Sequence, residues 1–464
     1  MAARNAAHAT HATHATNIDA LVKEVTRVNG NADPEELTQL QEQLEQLRIS
    51  DLIRVVERTN ANRGAMVMRL LNRARFLAVF DALDPNHQAD IVQALGSEAT
   101  AEYFDQLGPE DRAQLLDELP AEIAEEMLLA LDPDEKDATF TVLGYEKGTV
   151  GRYMSPEAPD IYPEYTVDEA LTLLREIADE VETIYTLPVV EHDRKLVGVT
   201  SLKRLFTAQG SQTVGELIDD PVFAHATDDA EETVRWFLPL DLLAMPVVDE
   251  SDRLVGMFTF DDAHDIQERE DSEDSARSGA SEPLNRPYLS TPVLALVRSR
   301  IVWLAVLAVS ALLTVQVLDT FESTLEKAVV LSLFIPLLTG TGGNTGNQAA
   351  TTVTRSLALG DVRRRDIAQV MWREVRVGLV LGTALGVAGF LLAWTVYGLP
   401  IGIVIGSTLV LVCTMSATVG GAMPIIAKTV GADPAVFSNP FITTFCDAAG
   451  LVIYFLIAKS VLGL

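Results

Sequence analysis

Cysteine is nearly absent: two residues in 464, Cys413 and Cys446, both inside apolar stretches. That leaves no disulfide framework, and two small buried side chains are expected. Positive charge is also short, with 35 Lys and Arg against 66 Asp and Glu, and only eight of the 35 are lysine. Such a balance argues against nucleic-acid binding, because phosphate contacts need the opposite sign. The glycine-rich run at 340–346 is not followed by Lys-Ser/Thr, so it is no phosphate loop. The soluble half has neither a nucleophile–base pairing nor a zinc-type His/Cys cluster, and an enzyme is not expected. The first residues, MAARNAAHATHATHATNID, lack the apolar core of a signal peptide. His8, His11 and His14 could touch one metal ion on a helix, but a disordered His-rich tail over 1–17 is expected.

What is present is divided unevenly. From Pro287 onward there are 8 acids and 11 Lys or Arg, leaving 58 and 24 for the residues before it. A strongly acidic soluble part therefore precedes an apolar, slightly basic one. Acidity of this kind suits hard cations or solvation in a salty cell. Five apolar stretches follow Pro292, near 301–318, 328–357, 377–397, 401–427 and 440–462. Each approaches or exceeds the roughly 20 residues a helix needs to cross a bilayer. The second and fourth are rich in Gly, Pro, Thr and Ser, which predicts bent or cavity-lining helices. With the amino terminus cytoplasmic, Arg298, Arg300, Arg355, Arg363, Arg364, Arg365, Arg373, Arg376 and Lys428 lie inside, and only Lys327 and Lys459 lie outside. That satisfies the positive-inside rule and puts the carboxyl terminus outside.

The soluble half carries two repeats. LDPNHQADIVQALG, LGPEDRAQLLDELP and LDPDEKDATFTVLG start at Leu83, Leu107 and Leu131, and Pro85, Pro109 and Pro133 would each open a helix. With Ser97 and Pro120 as half-steps, the spacing predicts a short helical solenoid. Further on, TLPVVEHDRKLVGVTSLKRLF (186–206) and AMPVVDESDRLVGMFTFDDAH (244–264) share one pattern of strand, turn, strand and helix start. Each follows a helical stretch, and the double pattern resembles tandem CBS domains. That resemblance implies a regulatory pair that binds nucleotide or ions. An adenine nucleotide is a candidate partner where Ser/Thr-x-x-Asp recurs, as in Thr259 to Asp262. The first copy has Arg204 in place of the acid.

Two charged features stand out. DDAHDIQEREDSED (261–274) has eight acids in fourteen positions, with Asp262 and Asp265 on one helical face and Glu270, Glu273 and Asp274 in a second group. A divalent cation could bridge them to acids elsewhere; a solvated linker is the alternative. The other feature is Asp447, deep in the last apolar stretch, NPFITTFCDAAGLVIYFLIAKSV. A carboxylate at a helix centre in hydrocarbon costs at least about 2.5–3.5 kcal/mol, so it marks a functional site facing protein or water.

LLTGTGGNTGNQ (337–348), FESTLE (321–326) and GADPAVFSNPFITTFCDAAGLVIY (431–454), with GRYM (151–154) and the CBS pair, resemble the MgtE family of magnesium channels. The resemblance implies a multi-domain chain. Its parts are a tail (1–17), a helical solenoid-like N domain (18–150), two α+β CBS domains (151–211 and 212–264), an acidic connecting helix (265–292) and a five-helix transmembrane domain (293–464). It implies a homodimer with a Mg2+ pore lined mainly by the second and fifth spans. Asp447 and Asn439 would stand at the pore ion, with Asn344, Asn347 and Thr443 as lining candidates. Regulatory Mg2+ would be held by Asp229, Glu231, Asp241, Asp262, Asp265, Glu270, Glu273 and Asp274, together with N-domain acids. One further sensor position is Thr233, which is not acidic. A Na+- or H+-coupled carrier and a Mg2+ sensor without transport are the competing readings. Asp433, at the last span's cytoplasmic entrance, is no evident coupling partner for a carrier.

Overall fold

The computed structural model describes residues 18–27, 34–96, 100, 103–284, 286–289, 291–431 and 439–463, with only the backbone of Pro34, Asn439 and Pro440. The His-rich tail, Ser97 and Asp433 lie outside them. The chain separates into two units. One comprises the residues to Arg269 with Leu284–Thr291, and the other comprises Glu270–Pro283 with Pro292–Leu464.

After a helical stretch at 18–27, the first unit continues with short helices α1 (Pro34–Glu45), α2 (Ile49–Glu57), α3 (Ala61–Leu70), α4 (Arg73–Asp81) and α5 (Pro85–Leu95). They continue as α6 (Pro109–Glu118), α7 (Ala121–Ala130) and α8 (Pro133–Leu143). Pro85, Pro109 and Pro133 each occupy the first turn, where a missing N–H is no loss. Pro120 immediately precedes α7, so the expected half-step is there. Asn60 and Asn72 cap α3 and α4 by accepting from Arg63 and Arg75 N–H at 3.1 Å. Helices α3 and α5, α5 and α6, and α6 and α8 pack in alternation around Val67, Met68, Phe80, Ile91 and Leu115. No helix of ten residues is stable alone; the stacked apolar faces hold the set together.

The CBS repeat follows. Helix α9 (Val167–Ile177), capped by a reciprocal Thr166–Glu169 box, leads to β1 (Thr186–Val190), β2 (Leu196–Ser201) and α10 (Leu202–Thr207). The second copy has β3 (Ala224–His225), α11 (Ala230–Phe237), β4 (Ala244–Val248), β5 (Leu254–Thr259) and α12 (Phe260–Ser278). Both hairpins are antiparallel with matching register, Pro188 opposite Val199 and Pro246 opposite Met257, and both bulge one residue before the end of the first strand. Their turns exchange hydrogen bonds, Leu196 N–H to Asp252 O at 2.9 Å and Leu254 N–H to Arg194 O at 2.8 Å. Helix α12 grows directly from β5, so it begins before the expected boundary at 265 and ends at Ser278, ahead of Gly279 and Pro283.

The second unit is helical: α13 (Val293–Thr320), α14 (Glu322–Lys327), α15 (Ile335–Ala358), α16 (Ile367–Tyr397), α17 (Leu399–Thr429) and α18 (Asn439–Leu462). Among the described residues, four helices are long and apolar enough to cross a membrane: α13, α16, α17 and α18. The expected second span is a 3-10 stretch (Val329–Phe334) followed by α15, whose Gly, Thr and Asn content lowers its hydropathy. It packs along α17 and α18. Close approach is the reason for its glycines: a Cβ on Gly342 would stand 2.8 Å from a Val412 methyl of α17, and one on Gly346 2.7 Å from an Ile442 methyl of α18. Helix α16 runs ten residues ahead of the expected 377–397, because its polar first turns remain helical outside the apolar stretch.

Candidate functional site

In the helical unit, Asn347 on α15 donates its side-chain N–H to Thr443 Oγ1 on α18 at 2.9 Å. Asp447 lies one turn beyond Thr443, on the same face of α18. Its Oδ1 is buried with no hydrogen-bond partner among the described residues. A buried carboxylate oxygen left unpaired is expensive, which sets Asp447 apart in an otherwise apolar helix. Several Thr hydroxyls of α15 donate to the backbone, Thr341 to Leu337 O at 2.6 Å and Thr345 to Thr341 O at 2.8 Å, while Thr354 Oγ1 is buried with no partner among the described residues. The Thr341 and Thr345 protons thus go to the backbone one turn back, and Thr345 Oγ1 also lies 3.8 Å from Cys413 Sγ. Asn344 is exposed on α15 and is not brought to Thr443. The side chain of Asn439 lies outside the described residues.

The soluble unit holds the opposite arrangement. Asp262 accepts from Thr259 Oγ1 at 2.5 Å at the start of α12. Around it the fold gathers Asp81 at the end of α4, Glu110 and Asp111 on α6, Glu182 after α9, and Asp261 and Asp265 on α12. Burial raises the Asp111 carboxyl to about 7, with repulsion from Asp81, Glu182, Asp265 and Asp261 adding to it. Glu110 is raised well above the ordinary range by burial and by Asp111, Asp262 and Glu182. Burial likewise raises Asp262, where the Thr259 bond opposes it and Asp111, Asp261 and Glu182 reinforce it. Asp81 and Glu182 are raised by burial and by Asp261. Glu110 Oε2 is buried without a partner among the described residues. His264 and Arg269 on the same helix oppose the rise at Asp265, and Arg269 also donates to Gln114 Oε1 at 3.1 Å and sits 5.7 Å from the Tyr153 ring.

Asp81, Glu110, Asp111 and Glu182 were not singled out from the sequence. In sequence they are ordinary helix-surface acids, and the one available signal was Pro-Glu-Asp at 109–111 interrupting an apolar period. The other regulatory candidates are engaged locally. Asp229 caps α11 by accepting from Glu232 N–H at 2.8 Å, Glu231 pairs with Arg235, and Glu273 pairs with Arg277. Asp241 is exposed in the left-handed conformation, at φ 54°. Glu270 and Asp274 lie further along α12, in the second unit. Thr233 is buried on the inner face of α11, which accounts for an uncharged residue there. Among the described residues no three His, Cys, Asp or Glu side chains are grouped to hold one metal ion. At the first CBS copy, Arg204 pairs with Asp219 at 2.6 Å and donates to Leu217 O at 2.9 Å. That corner therefore holds a satisfied cation, in contrast to the carboxylate Asp262.

An unpaired carboxylate in a bundle of apolar helices, in a chain that also carries tandem CBS-like hairpins and a cluster of acids, is the arrangement of a membrane protein that handles cations. Family models match along the chain. The one described as a divalent cation transporter, MgtE, covers 335–457; the MgtE intracellular N domain covers 47–148; the CBS domain covers 150–211 and 214–267. The magnesium transporter MgtE of Thermus thermophilus is 37% identical over 430 residues, 91% of this chain and 95% of that protein. The magnesium transporter MgtE of Enterococcus faecalis is 34% identical over 68% of this chain and 70% of its own length. A crystal structure of the cytosolic domain of the Mg2+ channel MgtE in complex with ATP is 31% identical, covering 50% of this chain and 95% of that one at a TM-score of 0.47. This chain belongs to the MgtE family of divalent-cation transporters.

Proposed function

We propose that the protein is a homodimeric, Mg2+-selective channel for Mg2+ uptake across the cell membrane, closed by Mg2+ bound among its cytoplasmic acids. The observation that carries this reading is the unpaired Asp447 oxygen on the Asn347–Thr443 face. Mg2+ keeps an octahedral set of oxygens near 2.0–2.1 Å and dehydrates reluctantly. Carboxylates from two chains supply charge on the axis, while amide and hydroxyl groups hold the ion's waters. A second copy is further supported by α13, which buries none of its residues within the chain, and by the exposed Trp236, Leu240, Leu243 and Phe260 of the second CBS copy.

Closure follows from linkage. With cytoplasmic Mg2+ scarce, Asp81, Glu110, Asp111, Glu182, Asp261, Asp262 and Asp265 repel and favour separation. With Mg2+ abundant, bound ions stabilise the closed form by mass action. Asp229, Glu231, Asp241, Glu270, Glu273 and Asp274 are assigned to the same role across the assembled dimer. An adenine nucleotide at the second CBS copy would share Asp262 with these ions, so the two ligands would affect each other's binding. The amino terminus faces the cytoplasm and the carboxyl terminus faces outside, in keeping with the arginine distribution. The inside-negative potential, worth about 2.3 kcal/mol per charge per 100 mV, then drives entry.

A coupled carrier is the second reading, favoured by Glu374 on α16, whose Cγ lies 2.7 Å from where a Gly421 Cβ would be. That second acid, turned toward α17, precedes the span expected from hydropathy. Mg2+ flux into proteoliposomes, with internal Mg2+ varied and Na+ or H+ gradients imposed or collapsed, separates the readings. Channel function requires flux without either gradient and inhibition from the cytoplasmic face. Strict gradient dependence rejects it, and absence of any flux leaves a sensor.

A further inference from the structure

Helix α16 has 31 residues, or about 46 Å at 1.5 Å per residue, and so outruns a hydrocarbon layer of about 30 Å. Its two tryptophans, Trp372 and Trp394, are separated by about 33 Å along the axis, matching the two interfaces at which Trp collects. Trp372 is 63% exposed and Trp394 is 48% exposed. The turns around Trp372 therefore sit at headgroup depth. Five arginines crowd that end: Arg363, Arg364, Arg365, Arg373 and Arg376, all exposed.

Three acids, Asp361, Asp366 and Glu374, share that end with the five arginines. Asp366 spends an oxygen on the Arg363 backbone N–H at 2.9 Å and stands 4.0 Å from Arg365 Nε. Glu374 turns inward against Gly421. Arg363, Arg364 and Arg376 form no ion pair with a carboxylate among the described residues. Arg376 instead lies over the Trp372 ring, 5.9 Å from its centroid. This face lies away from Gly378, Gly382 and Gly386, which pack on α17. It continues into Val380, Val387 and Leu391, all exposed and apolar. A lipid has the same profile, an anionic head above an apolar tail.

We propose that the Ile367 end of α16 is a binding site for anionic phospholipid, with the headgroup phosphate held by Arg363, Arg364, Arg373 and Arg376 and the acyl chains lying along Val380, Val387 and Leu391. Guanidinium forks match phosphate oxygens in pairs, and the stacked Trp372 holds Arg376 at the interface. This inference is independent of how Mg2+ gates the protein.

The test is native mass spectrometry of the full chain in detergent with phosphatidylglycerol or phosphatidylcholine of identical acyl chains. Phosphatidylglycerol should be retained over phosphatidylcholine by at least about tenfold, given four basic groups at headgroup depth. Replacing Arg363, Arg364, Arg373 and Arg376 with Gln should abolish that preference, and replacing them with Lys should keep part of it. Should the fourfold Gln variant misfold, the pair Arg373→Gln and Arg376→Gln is read instead and should lose most of the preference. Equal retention of the two lipids by the unaltered chain overturns the proposal, as does an undiminished preference in either Gln variant. Release of the lipid by millimolar inorganic phosphate overturns the lipid assignment in favour of a free-phosphate site.

Discussion

Two groups of carboxylates in this protein are both held in unfavourable surroundings, for opposite reasons. Asp447 is solitary: its Oδ1 is buried one turn beyond Thr443 on α18, with no hydrogen-bond partner among the described residues. The soluble cluster is crowded, and Asp111 is raised by burial and by four neighbouring acids. A solitary carboxylate gives one ligand per chain, so any ion it meets is held loosely and leaves easily, as passage requires. A crowd of carboxylates binds cations because binding removes repulsion, as a switch requires. On the proposed channel reading, transport belongs to the solitary carboxylate and control to the crowd.

Deleting the solitary charge should have the largest effect. Two unit charges 4 Å apart at an effective dielectric of 20 interact by about 4 kcal/mol, and a divalent ion doubles it. Asp447→Ala should therefore lower Mg2+ uptake by proteoliposomes at least about 100-fold, with each tenfold corresponding to about 1.4 kcal/mol. Uptake within a few-fold of normal would remove Asp447 from the pathway. Thinning the crowd should leave transport intact and move only its control. Asp111→Asn, Glu182→Gln and Asp262→Asn together should raise the Mg2+ needed to halve uptake by about tenfold, equivalent to about 1.4 kcal/mol of lost coupling. The same variant should unfold at a higher temperature in chelator, since repulsion is gone. A lower temperature in chelator would mean that these acids are structural.

Acidity separates the groups in another way. Asp111 keeps its proton up to about 7 when folded, whereas the unfolded chain releases it near its ordinary value of 3.8. Between those values the folded form binds more protons, so stability of the Mg2+-free protein rises as pH falls from 8 through 7 and levels off near 4. Thermal unfolding of the full chain in chelator should show that rise. The increment from added Mg2+ should shrink over the same range, because protons then occupy the carboxylates. A Mg2+ increment that is constant from pH 8 to 5 would contradict ion binding at the cluster. The smallest effect belongs to Arg269→Ala, which removes one hydrogen bond and one cation–aromatic contact of about 0.5–1 kcal/mol at an exposed site. It should shift half-inhibition by about two- to fivefold, scaled from that energy.

Much of the architecture was legible in the residues. The 24-residue spacing of Pro85, Pro109 and Pro133 foretold helix starts, and the doubled Pro-Val-Val…Leu-Val-Gly pattern foretold two hairpins of matching register. Asp447 was conspicuous because its neighbours are apolar for a full span. Asp111 and Glu182 were not, because an acid on a short helix in an acidic chain looks like solvated surface. The α15 hydroxyls also read differently in sequence, where Thr and Asn implied a wet face; the helix backbone takes several of those protons.

The sequence alone determined what is encoded locally: the order of modules, the lengths of the apolar stretches, the helix starts and the sign of charge along the chain. Each depends on neighbours within a turn or a strand, where composition and period suffice. Tertiary structure alone decided that Asn347 meets Thr443 across 96 residues and that Asp81, Asp111 and Glu182 converge on Asp261. Such convergence is set by the packing of faces from distant helices. No period in the chain records which exposed acid will be buried against which other.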